Sequence, residues 1–177
     1  LVVAFFAWLF GMGSWTREER KRLVVVLVLF VAASIFWAAF EQAPSTLNLF
    51  ALRNTRNSIF GWTFPSTWLQ SVNSLCIIVL APVFAWIWVR LGTRDPSSPT
   101  KFGFGLLFAG LGFLVMMFAA QASTGGVLVS PMWLVLTYLL HTVGELCLSP
   151  VGLSSMNTPA PDRVKGTSMA VWFLAAS

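Results

Sequence analysis

The chain has 177 residues, of which 57% are hydrophobic and only 10% are charged. Soluble domains carry about 25% charged residues, so this composition argues against a soluble globular protein. The net charge is +5, but the basic residues stand in short clusters between long apolar stretches. That distribution is typical of membrane topology signals and argues against nucleic-acid binding.

Two long stretches, residues 57–89 and 102–144, contain no charged residue. Each is longer than the ~20 residues that cross a bilayer core as a helix. A soluble core of this size would be interrupted by polar faces at helical spacing. The sequence therefore predicts an all-α, polytopic membrane bundle. Because the chain starts at Leu1 and stops at Ser177 inside an apolar run, we expect it to be a piece of a longer protein.

Residues 1–22 are predicted to be the end of a helix followed by a hinge. Residues 1–12 are apolar but too short to span a membrane, and residues 17–22 (REERKR) form a basic loop. By the positive-inside rule this loop is cytoplasmic. Residues 23–40 then form the first span, which runs outward to Glu41 and Pro44, and the proline can kink it.

The next segments alternate between external loop, span and cytoplasmic loop. Residues 45–61, with two arginines, are predicted to form the outer end of the first span and an external loop. Residues 64–89 return inward, and residues 90–101 form a basic cytoplasmic loop. One face of the inward helix is polar, because three residues are spaced by four and three: Ser66, Gln70 and Asn73.

The third span, residues 102–120, carries small residues suited to close helix packing: Gly103, Gly105, Ala109, Gly110 and Gly112. Residues 121–130 are an uncharged external loop, and Pro131 is well placed to begin the fourth span. After Pro150 the chain becomes small and polar, which predicts a cytoplasmic turn to residue 165. A last partial span begins at residue 166, giving four full spans with a partial helix at each end.

The fourth span carries a carboxylate, Glu145, inside an apolar helix, with His141 one turn before it. A charged side chain there costs roughly 2.5 kcal/mol or more, so intramembrane carboxylates usually serve a function. Glu145 either faces a path for a polar or ionic solute or is a protonated structural carboxyl bonded to a neighbouring helix. His141 is more simply explained as a hydrogen-bonded core residue, since the pair offers only two metal ligands.

The sequence contains no catalytic pattern, so we do not expect an enzyme. The two cysteines, Cys76 and Cys147, lie in apolar spans without metal-type spacing. They are expected to be small apolar core residues. We therefore predict no metal site and no cofactor.

Four segments of the sequence resemble, in the same order, helices of the proton-dependent oligopeptide transporters, a family of the major facilitator superfamily. Residues 36–43 (FWAAFEQA) followed by 47–51 (LNLFA) resemble the seventh helix of that family. The eighth helix is similar to residues 70–73 (QSVN) with 77–85 (IIVLAPVFA). Residues 144–154 (GELCLSPVGLS) resemble the tenth helix and the turn after it, and 169–174 (MAVWFL) the start of the eleventh.

The resemblance implies a C-terminal half-transporter that couples proton entry to uptake of di- and tripeptides. Residues 1–22 would be the end of a helix between the two halves plus the hinge, and residues 23–177 the C-terminal bundle in the inner cell membrane. Glu41 would take and release the proton. Glu145 and Asn73 would hold the peptide ammonium, and Trp172 would line the pocket near the peptide side chains.

The N-terminal half of the family, absent from this sequence, would supply the cations that hold the peptide carboxylate. Three positions depart from the family pattern: Pro44 replaces a usual glycine, Leu52 a common acidic residue, and His141 a small hydroxyl residue. Three other functions stay open. The chain could belong to a transporter of another small solute such as nitrate, although two glutamates are not expected there. It could also be a non-transporting membrane subunit of an enzyme or respiratory complex, although such subunits usually need histidine pairs for haem and this chain has one histidine. A structural membrane domain is a further alternative, but it would not need Glu41 and Glu145.

Overall fold

The computed structural model describes residues 2–11, 15–59, 61–157, 170 and 172–175. Helices and strands follow in the order α1 (Val2–Gly11), α2 (Arg17–Phe40), a π-helix (Ala43–Leu47), α3 (Asn48–Asn54), β1 (Ser58–Ile59), β2 (Trp62–Thr63), a 3-10 helix (Ser66–Gln70), α4 (Ser71–Leu91), a 3-10 turn (Gly92–Arg94), α5 (Ser98–Ala122) and α6 (Met132–Asn157). Residues 172–175 are also helical.

The predicted helical membrane bundle is confirmed. Four helical segments are long and apolar enough to cross a bilayer: Arg17–Asn54, Ser66–Arg94, Ser98–Ala122 and Met132–Ser149. They correspond to the four spans expected from the charge-free and apolar stretches. The division into residues 1–22 and 23–177 stays a prediction.

The basic segment after position 16 is helical, so its interpretation as a hinge loop is wrong. Thr16 caps α2: its Oγ1 accepts a hydrogen bond from the Glu19 backbone N–H at 3.2 Å, and the Glu19 carboxylate accepts from the Thr16 N–H at 2.9 Å. This reciprocal capping box satisfies two amide donors that a helix start leaves unpaired. Because α2 begins in the basic segment, Glu41 lies one residue after a 24-residue helix.

Three other boundaries differ from the sequence predictions. The basic loop 90–101 is shorter than expected, because α4 runs to Leu91 and α5 begins at Ser98. Pro150 does not end its helix, since α6 continues to Asn157; membrane helices tolerate proline when neighbouring groups take up the freed backbone bonds. The predicted turn over residues 158–165 lies outside the described residues.

The predicted external loop contains a small β-hairpin. Ser58 pairs with Thr63 and Ile59 with Trp62, and Gly61 takes a positive φ of 81° between the two strands. A glycine tolerates this backbone conformation without steric cost. Thr55 forms an additional bridge to Val129, so the hairpin is tied to the loop before α6.

Close contact between α5 and α6 forms the centre of the bundle. Gly105, Ala109 and Gly112 are buried, whereas Gly103 and Gly110 face open space. A Cβ on Gly144 would lie 2.8 Å from the Gly105 carbonyl oxygen, so the two backbones can approach only without side chains there. The predicted small-residue packing surface is therefore confirmed at Gly105, Ala109 and Gly112 but not at Gly103 and Gly110.

Helix α4 packs against α6, yet the structure buries none of its residues. Cys76 on α4 is half-buried, and only Cys147 on α6 is fully buried as expected for a core residue.

Candidate functional site

A hydrogen-bonded group joins α4 to α6 at the position of Glu145. The side-chain amide of Asn73 on α4 donates to Thr142 Oγ1 at 3.0 Å and to Glu145 Oε2 at 3.3 Å. Thr142 in turn donates to the Tyr138 carbonyl oxygen at 2.7 Å. Both amide hydrogens of Asn73 are therefore engaged, and they fix the orientation of one Glu145 oxygen. The sequence predicted Asn73 and Glu145 in one site, and the structure brings them together.

A cavity of about 270 Å³ opens beside this group. It contains one carboxylate, Glu41, together with amide, hydroxyl and aromatic side chains. The described lining residues are Phe40, Glu41, Ala43, Pro44, Gln70, Asn73, Tyr138 and His141. Asn73 therefore belongs both to the cavity wall and to the Glu145 network, whereas Glu145 itself is not among the described lining residues.

Glu41 lies where α2 changes its hydrogen-bonding pattern. Glu41 follows the last residue of α2, and a π-helix, Ala43–Leu47, begins two residues later with Pro44 inside it. Short π-helical turns are rare and occur frequently at functional sites. Within the described part of the chain, the exposed Glu41 carboxylate has no ion pair or side-chain hydrogen bond, so it is available to a proton or a ligand.

Local bonds stabilise the π-helix that follows Glu41. Gln42 Oε1 accepts a hydrogen bond from Thr46 Oγ1 at 2.6 Å, and the Ser45 hydroxyl lies 3.5 Å from the Glu41 carbonyl oxygen. Both contacts join residues four apart in the sequence, so they link successive turns at the start of the π-helix. Ala43 and Pro44, at the start of this π-helix, lie in the same cavity wall as Glu41.

His141 lines the cavity, but only 2% of its surface is exposed. Its ring lies 5.2 Å from that of Phe113 and 6.4 Å from that of Phe40. A Cβ on Gly112 would lie 2.5 Å from His141 Nε2, so α5 leaves space for the imidazole by having glycine there. Nε2 has no side-chain partner among the described residues, while the imidazole has a backbone hydrogen bond to Ala109 on α5. The sequence interpretation as a buried core histidine therefore agrees with the structure.

Trp172 lies apart from the described cavity wall. Its ring makes an edge contact with Phe102 at 6.2 Å, and a Cβ on Gly152 would overlap it. The side chain is only 8% exposed and belongs to the main apolar core. Its predicted contact with the peptide side chains stays a prediction.

Chemically, the site combines two carboxylates with neutral hydrogen-bonding groups. No lysine or arginine belongs to the described cavity wall. Without a nearby cation, the negative charge of a partly buried carboxylate is poorly compensated. Such a carboxylate therefore tends to take up a proton or to bind a cation. The arrangement suits a ligand with an ammonium group and suits an anion poorly.

Sequence reasoning missed Thr142 and Tyr138. Thr142 precedes Glu145 by three residues and so shares its helix face, which was a usable signal. Tyr138 offered no comparable signal, because a tyrosine in an apolar helix is most simply a packing residue.

Comparison with known proteins identifies the family. The sequence profile of the family described as "POT family" matches residues 6–177. The chain belongs to the POT family. POT proteins are transporters, and the bundle shares the fold of solved POT structures.

Among POT relatives, the chain is 50% identical over 180 residues to the peptide transporter YePEPT of Yersinia enterocolitica, covering 99% of this chain and 35% of that protein. It is 36% identical over 179 residues to a di-/tripeptide transporter of Lactococcus lactis, covering 99% of this chain and 36% of that protein. The chain thus spans about a third of the length of these relatives.

Solved POT structures superpose closely. A peptide transporter POT in complex with alafosfalin matches with a TM-score of 0.92 and 44% identity, covering 98% of this chain and 36% of that chain. A POT family transporter in complex with 5-aminolevulinic acid matches with a TM-score of 0.88 and 32% identity over the same shares of the two chains.

Proposed function

We propose that this chain forms the C-terminal half of a symporter that couples proton entry to the uptake of di- and tripeptides. The observation that carries the proposal is Asn73, which bonds Glu145 and lines the cavity that contains Glu41. Relatives named peptide transporters and di-/tripeptide permeases support the substrate class. The inner cell membrane is the proposed location.

Glu145 is the proposed partner of the peptide's α-ammonium. Asn73 holds one of its oxygens, which leaves the other oxygen for the ammonium of the substrate. Charge-assisted hydrogen bonds of this kind are about twice as strong as neutral ones. Nitrate and similar anions are disfavoured, because both carboxylates would repel them.

Glu41 is the proposed proton carrier. Its carboxylate lines the cavity without an ion pair in the described residues, so protonation does not require an existing bridge to break. The rest of the transporter would supply the cations for the peptide carboxylate. Trp172 would approach the peptide side chains in a conformation that brings its helix to the cavity.

Peptide binding to the full-length protein tests the Glu145 assignment. A dipeptide with a free amino group should bind, and the N-acetylated dipeptide should bind at least a hundredfold more weakly, because it offers no cation. Glu145→Ala should lose a similar factor, since breaking a buried pair costs roughly 3–5 kcal/mol.

Glu18→Gln is a matched control, because Glu18 is an exposed carboxylate that pairs with Lys21 at 2.8 Å on the surface of α2. It should bind the dipeptide as the wild type does. Undiminished binding by Glu145→Ala would refute the substrate role.

A further inference from the structure

The imidazole of His141 occupies a recess in helix α5 that exists because residue 112 is glycine. A Cβ on Gly112 would lie 2.5 Å from both Cδ2 and Nε2 of the ring, closer than a real Cβ approaches another heavy atom. The imidazole also has a backbone hydrogen bond to Ala109 on α5, and its ring lies 5.2 Å from that of Phe113. One side of the ring is therefore set into α5.

The backbone at Gly112 is held close to α6 on both sides of His141. The Thr137 hydroxyl, one turn before His141, lies 3.3 Å from the Gly112 carbonyl oxygen. Almost one turn after His141, a Cβ on Gly144 would lie 2.8 Å from the Gly105 carbonyl oxygen. Because the two helices are fixed at these contacts, a larger residue at position 112 would displace the imidazole and not the helix.

The other side of the imidazole belongs to the wall of the cavity that contains Glu41. The cavity has a volume of about 270 Å³ and is lined by two more rings, those of Phe40 and Tyr138. Phe40 lies 6.4 Å from the imidazole. An imidazole displaced from α5 would move into this space, so the depth of the ring in α5 sets the size of the cavity.

We propose that Gly112 and His141 together set the largest side chain that is accepted on the first residue of a peptide. The proposal rests on the proposed function, in which Glu145 binds the peptide ammonium. His141 precedes Glu145 by four residues, so the two share a face of α6 about 6 Å apart along its axis. The first side chain of a peptide branches from the carbon that carries the ammonium, which brings it to His141. His141 is thus a specificity-determining residue, and Gly112 positions it.

The affinities of two dipeptides for the full-length protein test the proposal. Tryptophanyl-alanine has a large first side chain and glycyl-alanine has none, and the measured quantity is the ratio of their affinities. Gly112→Ala should lower this ratio about tenfold, a discrimination that one methylene produces in a close-fitting pocket. Adding His141→Thr to Gly112→Ala should restore the ratio, because the displaced ring is gone. His141→Thr alone adds no atoms to the contact between α5 and α6 and should raise the ratio.

Gly105→Ala is the matched control. Its Cβ would lie 3.1 Å from Leu148 Cβ and 3.2 Å from the Gly144 carbonyl oxygen, in the same contact between α5 and α6 but away from His141. It should lower thermal stability and leave the ratio unchanged. Alanyl-tryptophan, with its large side chain on the second residue, should bind Gly112→Ala as it binds the wild type.

Several outcomes would overturn the proposal and leave the proposed function intact. These are an equal loss of both dipeptides in Gly112→Ala, no restoration by His141→Thr, or an equal response of alanyl-tryptophan. An unchanged ratio in His141→Thr alone would overturn it even if Gly112→Ala does not fold. A wild type that binds neither dipeptide would overturn the proposed function, and this inference with it.

Discussion

The hydroxyl of Thr142 is predicted to set peptide affinity through Asn73. Thr142→Val keeps the shape of the side chain but removes the oxygen that accepts the Asn73 amide at 3.0 Å. The amide then keeps only the longer bond to Glu145, at 3.3 Å. Asn73 can rotate, and Glu145 loses the neighbour that fixes its orientation.

The expected magnitude follows from one lost hydrogen bond. A net contribution of about 1 kcal/mol corresponds to about a fivefold loss in affinity for a dipeptide. Thr142 also donates to the Tyr138 carbonyl at 2.7 Å, and that bond disappears as well. A control must therefore lose the same intrahelical bond without touching Asn73.

Thr137→Val provides that control. Thr137 is as buried as Thr142, lies on the same helix and donates to the Trp133 carbonyl at 2.9 Å. Its hydroxyl also lies 3.3 Å from the Gly112 carbonyl on α5, and it has no bond to α4 among the described residues. Dipeptide affinity of the full-length protein and thermal unfolding should be measured for both variants. We expect both to lower stability and only Thr142→Val to lower affinity. Equal affinity losses, or an unchanged affinity in Thr142→Val, would refute the reasoning.

Three further results are expected. Gly112→Ala should destabilise the full-length protein by about 1–3 kcal/mol, because its Cβ would lie 2.5 Å from His141; Gly110→Ala, facing open space, should leave thermal unfolding nearly unchanged. The pH profile of peptide affinity between about pH 8 and about pH 5 should be the same for His141→Thr as for the wild type, because the buried ring packs against Gly112 and Phe113 on α5; a profile flattened by His141→Thr would show instead that His141 titrates in competition with the substrate. Cysteines at positions 19 and 98 should be shielded from an impermeant external thiol reagent, and labelling of both from outside would contradict the orientation.

The spans were predictable because hydrophobic thickness constrains them directly. A membrane helix needs about 20 apolar residues. The charge-free stretches reach that length in the sequence itself, so no knowledge of their packing partners is needed to recognise them. Glu41 and Glu145 stood out for a related reason: a carboxylate in an apolar helix is costly and so usually has a purpose. Asn73 was part of a polar stripe, and its place in the site was implied only by the family resemblance.

Other features depend on bonds between residues that composition does not reveal. The capping box of Thr16 and Glu19 was readable as T-x-x-E, and overlooking it led to the wrong hinge. The π-helix after Glu41 and the continuation of α6 through Pro150 depend on how backbone groups are satisfied in three dimensions. The role of Thr142 appears only when α4 packs beside α6.

Proton-driven uptake tests the central claim most directly. The full-length protein in liposomes should accumulate a dipeptide when a proton gradient is imposed. Glu41→Gln should abolish this uphill uptake yet retain exchange of peptide across the membrane, because it removes the proton carrier and leaves the Asn73–Glu145 group intact. Accumulation of peptide against a gradient by Glu41→Gln would contradict the account.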